Sequence, residues 1–179
     1  MLQLTIPSIE QWDEANERFV WTKEYTLQLE HSLVSLSKWE SKWHKPFLSK
    51  EERTSEESID YIRSMTITQN VEPEAYKYIT SENIKAVTDY IAEPMTATTF
   101  HDEKKGLNRE VVTAEVIYYW MVALNIPFEC QKWHLNKLIA LIKVCDIKNQ
   151  PPKKMSKRET LSRNAALNAA RRRSTNSKG

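Results

Sequence analysis

Two stretches of this chain combine residue types at a spacing that could do chemistry. The first is KWESKW, residues 38–43. Interleaved cations and aromatic rings can clamp a phosphate backbone and stack on its bases. Trp39 and Trp43 lie four residues apart, so one helix face carries both. Core packing is the favoured role for that face; if exposed, it is a hydrophobic docking site for another protein. The second stretch runs from Pro151 to Gly179 and holds nine Lys or Arg against a single acid, Glu159. Lys153, Lys154, Lys157, Arg158, Arg163, Arg171, Arg172 and Arg173 form two basic clusters within it. Such clusters bind phosphate by releasing counterions, pair with an acidic protein face, or simply solvate a tail. The stretch has no aromatic residue and no DNA-reading motif precedes it, which puts a protein partner ahead of nucleic acid.

Nothing comparable points to catalysis. His31, His44, His101 and His134 are scattered, with no HxxxH, HExxH or CxxC arrangement. There is no GxSxG and no Walker sequence. Gly106 and Gly179 are the only glycines, which argues against phosphate-cradling loops and dinucleotide folds. No catalytic residue, cofactor or metal site is therefore expected. Glu115 sits in an apolar run and would need a partner if it faced inward. Cys130 and Cys145 fall in apolar helical stretches and read as reduced core thiols. No charged-then-apolar leader opens the chain, and no apolar run is long enough to span a bilayer. A soluble protein of a reducing cytoplasm is expected.

The elements that must position these residues are mostly helical. Residues 2–6 and 19–29 alternate apolar and polar around a charged turn, DEANER, which predicts a β-hairpin. Leu33, Leu36, Trp39 and Trp43 mark a helix stopped before Pro46. Thr54 and Glu57 form a capping box for a helix through Met65. Pro73 opens a short helix, and Ser81 is expected to cap the next, with Ile84, Val87 and Ile91 aligned. Residues 95–109 read as a loop, with 96–100 a candidate short strand. Residues 109–126 and 131–147 predict two strong helices joined at Pro127. The first is apolar on nearly every face, so it is expected to be buried all round, with Trp120 in the core. Together they predict a central αα-hairpin. After Pro151–Pro152, Ser156 and Glu159 match a second capping box ahead of a helix-prone stretch with a thin apolar stripe.

The fold class that follows is mainly α. A helical body, 1–150, carries a short N-terminal β-hairpin. A basic C-terminal arm, 151–179, is helical or disordered. The arm has a formal charge of +8 in a chain of +2, which leaves the body at −6. A polarised chain of this kind suits binding better than catalysis.

Three segments carry a resemblance: LEHSLVSLSKWESKWHKPFL, VTAEVIYYWMVALNIPFECQKWHLNKLIALIKVC and PPKKMSKRETLSRNAALNAARR. They resemble small proteins encoded in the tail modules of tailed bacteriophages, of the tail assembly chaperone type. The likeness runs from Leu29 to Arg173. It implies a non-enzymatic protein of the host cytoplasm that coats the helical tape-measure protein and recruits tail-tube subunits. Virion association and self-association are compatible with it. The alternatives are a structural virion protein of the connector or baseplate, and a small nucleic-acid-binding protein using the arm.

Overall fold

The computed structural model describes residues 1–14, 16–100, 111–151 and 156–175. It is mainly α with a small N-terminal β-ribbon. The chain divides into two compact units, Met1–Asp146 and Ile147–Gly179.

The ribbon consists of two antiparallel ladders. Strand β1 (Leu2–Ile6) pairs with β4 (Tyr25–Leu29), and β2 (Glu10–Asp13) pairs with β3 (Arg18–Trp21). The predicted single strand over 19–29 is thus split. Pro7 has no N–H to donate, so the ladder breaks there and resumes at Ile9, whose carbonyl accepts Thr22 N–H at 2.8 Å. Alternation on the first ladder buries Leu4, Ile6, Leu27 and Leu29. The free edge of β4 is covered: Glu30 N–H donates to Met65 and Ile67 N–H to Gln28.

Helix α1 (Leu33–Trp43) packs against α2 (Ser55–Met65) and α4 (Ala114–Ala123). It starts at a Ser32–Ser35 capping box and ends at His44, whose φ of 52° lets its N–H return to Glu40. The Thr54–Glu57 box opens α2 as the sequence predicts. Helix α3 (Ser81–Ala92) is capped by Thr80 with Asn83, one residue ahead of the expected Ser81. Thr80 is the residue with extended backbone, which lets its hydroxyl reach the N3 amide. Residues 96–100 form no strand. Residues 101–109 of the predicted loop, and Arg109 and Glu110 of the predicted helix, lie outside the described residues.

The expected central αα-hairpin needs correction. Helix α4 begins at Ala114, and α5 (Leu135–Asn149) follows a 3-10 turn at Phe128–Lys132. Both α4 and that turn take α1 as their main neighbour, so α1 is the hub. Nor is α4 buried all round. Ala114, Ile117 and Met121 are buried, Trp120 is half-buried, and Tyr119 and Val122 are 68% and 59% exposed. Glu115 is exposed too and needs no buried partner. Cys130 is buried and Cys145 half-buried, both as free thiols.

The tie between α1 and α4 is Glu40. Thr113, the N-cap of α4, makes no side-chain cap. Instead the buried Glu40 carboxylate accepts Ala114 N–H at 2.7 Å and Phe47 N–H at 2.8 Å. Burial raises the Glu40 pKa, and the two backbone donors pull it back. Glu40→Ala should strand both amides and cost about 2–4 kcal/mol, read as a shift in the urea midpoint. Glu40→Gln keeps one acceptor and should cost less; equal losses would mean the hydrogen bonds contribute nothing specific.

In the second unit, α6 (Lys157–Thr175) starts at the predicted box, with Ser156 N–H donating to Glu159 Oε2 at 2.9 Å. Every described residue of α6 is exposed.

Candidate partner-binding surface

The strongest surface feature lies on the second ladder. Its register sets Trp12 opposite Phe19 and Glu10 opposite Trp21. Alternate residues of a strand share a face, so Glu10, Trp12, Phe19 and Trp21 lie together on one side of the ribbon. Trp12, Phe19 and Trp21 are 47%, 64% and 66% exposed. Trp12 meets Phe19 edge-on, with ring centroids 4.9 Å apart. Three such rings leave on the order of 300 Å² of aromatic surface in water. An exposed apolar patch of that size matches the largest patch of a typical monomer, which is often functional.

The ribbon is held from behind and below. On the opposite face, Gln11 Oε1 accepts the Tyr78 hydroxyl at 3.0 Å. At the base, Ile9 N–H donates to Thr22 Oγ1 at 2.8 Å. Below that, the Tyr25 hydroxyl donates to Glu72 at 2.5 Å, and Lys23 lies 3.5 Å from the same carboxylate. The Glu72 hydrogen bond pushes the Tyr25 pKa up to about 12, while Tyr25 and Lys23 hold Glu72 below the usual carboxylate range. The aromatic face is therefore presented by a braced element.

The residues singled out in the sequence are placed elsewhere. Trp39 is 1% exposed and its Nε1 donates to the Glu57 carbonyl at 2.9 Å. It is core, so it offers no face to a partner. Trp43 is half-buried, donating from Nε1 to Asp60 Oδ2 at 2.9 Å with the Lys42 ammonium over its ring. Burial pushes the Asp60 pKa up, but Lys42, the Trp43 hydrogen bond and Arg63 together outweigh it and hold the carboxyl below its ordinary value. Lys157, Arg158, Arg163, Arg171, Arg172 and Arg173 are exposed along α6. Lys153 and Lys154 lie outside the described residues.

A cluster of buried titratable groups that includes both core histidines is internal. His31 Nδ1 lies 2.5 Å from the Tyr61 hydroxyl, and the His31 and His134 rings meet edge-on at 5.1 Å. His134 Nε2 is 3.1 Å from the Tyr90 carbonyl. Burial, with His134 and Arg53 adding repulsion, holds the His31 pKa down to about 3. Burial also lowers that of His134 and raises that of Tyr61. Both His side chains are buried, so they act on the core.

Among the described residues, no group of three or more His, Cys, Asp or Glu could hold a metal ion, and no helix is long and apolar enough to cross a membrane. In comparisons with known proteins, no family model, no curated protein and no solved structure matches this chain.

Proposed function

We propose that this protein is a non-enzymatic assembly factor of the tail chaperone type. Its aromatic ribbon face grips an apolar helical stretch of a client, the tape-measure protein in a phage tail module. The observation that carries this reading is the set of three exposed rings, Trp12, Phe19 and Trp21, on one face of a braced ribbon. Rings of this kind give large contact area at low entropic cost and dominate protein interfaces. The tail module itself rests on the sequence resemblance, as do the tail-tube subunits as a second partner and the host cytoplasm as the working compartment.

The acidity of the ribbon disfavours nucleic acid at this face. Four acids, Glu10, Asp13, Glu14 and Glu17, stand against Arg18 between residues 9 and 22, and a phosphate backbone would be repelled.

The test is co-expression with the tape-measure protein, in nuclease-treated lysate, comparing wild type with a Trp12→Ser, Phe19→Ser, Trp21→Ser triple variant. The rings make few core contacts, so the variant should fold. Capture should fall at least about a hundredfold if two anchors each contribute about 1.5 kcal/mol. Undiminished capture by a folded variant would remove the ribbon from the client site.

A further inference from the structure

We infer that the ribbon face of one copy docks the basic α6 helix of a second copy, so that the protein self-assembles head to tail. The surface is the one proposed for the client, but the contact requires no client and is read in its absence.

The first argument is charge. The ribbon carries four acids and one base between residues 9 and 22, with Glu10 on the aromatic face itself. Helix α6 carries Lys157, Arg158, Arg163, Arg171, Arg172 and Arg173 against Glu159 alone. The two elements carry opposite net charge, which favours their pairing.

The second argument is the chemistry of the rings. An arginine guanidinium is planar and weakly hydrated, and it stacks on Trp and Phe faces while its N–H groups reach carboxylates. Trp12, Phe19 and Trp21 flanked by Glu10, Glu14 and Glu17 suit the Arg171–Arg173 run. Leu161 and Leu167, 69% and 47% exposed, add apolar contact along the same helix.

The third argument is symmetry. Ribbon and helix are different surfaces, so the contact between copies is heterologous. Such a contact closes at two copies only where each ribbon takes the other copy's α6; otherwise it propagates into a ring or an open chain. A client that needs the aromatic face would then displace α6, which ties assembly to client availability.

The experiment is sedimentation velocity of the full chain, nuclease-treated and free of client, over rising concentration. Mass should rise above the monomer, to a closed pair if the exchange is reciprocal and past it if not, and raising the salt should weaken association at least about tenfold. Two full-length variants sharpen the test: the Trp12→Ser, Phe19→Ser, Trp21→Ser ribbon, and Arg171→Glu, Arg172→Glu, Arg173→Glu in α6. Each alone should be monomeric. Mixed, they should form a one-to-one heterodimer that stops there, because only one intact ribbon and one intact α6 remain. A wild type that stays monomeric overturns the inference. So does association that neither variant weakens, a mixture that fails to pair, or association that nuclease abolishes. None of these outcomes bears on client capture, which is read separately.

Discussion

Trp39→Ala is expected to lower the unfolding free energy by about 3–5 kcal/mol. The ring is fully buried and packs edge-on against Phe47 at 5.1 Å and Tyr61 at 6.4 Å. Phe47 in turn stacks on Tyr61 at 3.8 Å. Removing the indole opens a cavity where α1, α2 and the loop at Phe47 converge, and it takes from the Glu57 carbonyl the donor it has in addition to the α2 ladder. Trp39→Phe should recover much of the packing but not the hydrogen bond. Urea unfolding followed by circular dichroism measures both. A loss under about 1 kcal/mol for Trp39→Ala would show that the ring does not hold this junction. Trp120→Ala should cost less, because that ring is only half-buried.

The second large effect is acid destabilisation through His31. In the folded chain His31 stays neutral down to about pH 3. Unfolded, it takes up a proton near its ordinary value of about 6.5. Below that value the unfolded chain binds a proton that the folded chain refuses, so stability falls as pH falls. The slope is about 1.4 kcal/mol per pH unit for one such group. His134, also lowered, acts in the same direction. Glu40, with its raised pKa, opposes them weakly by gaining a proton on folding. The lowered carboxylates Glu57, Asp60 and Glu72 add their own losses only as pH drops through the ordinary carboxylate range. Between about pH 6.5 and 4.5 the histidines therefore set the slope, and about 2–3 kcal/mol should go. His31→Gln will shift stability at neutral pH, but its diagnostic is the slope, which should flatten. An unchanged slope would mean that His31 is not the group titrating.

The local parts of this fold were readable in the sequence. Thr54 and Glu57 sit three apart, and the box they form needs only that spacing. Ser156 and Glu159 behave alike. The spacing of Trp39 and Trp43 put both rings on one helix face, but it could not say how deep each would sit. Burial separates the two, one in the core and one at its margin. The ribbon face was harder. Trp12, Phe19 and Trp21 alternate as they would in a buried strand, yet all three rings are exposed. The apolar run from Val116 to Leu124 misled in the opposite direction. Its composition suits burial on all sides, yet Tyr119 and Val122 face water. The Glu40 cap on Ala114 spans 74 residues, and no local pattern encodes it.

That same cap sets an order on synthesis. Glu40 leaves the ribosome long before Ala114, and until then its carboxylate has only Phe47 N–H and water to satisfy. The first ladder can close once β4 has emerged, because both its strands precede α1. Helix α1, by contrast, must wait with its α4-facing side uncovered while the next seventy-odd residues are made. When Ala114 arrives, a single carboxylate starts the late helix and ties it to the early one. The nascent chain is thus incomplete at α1 until Ala114 is made, and a protein proposed to shield others is itself without cover for that interval.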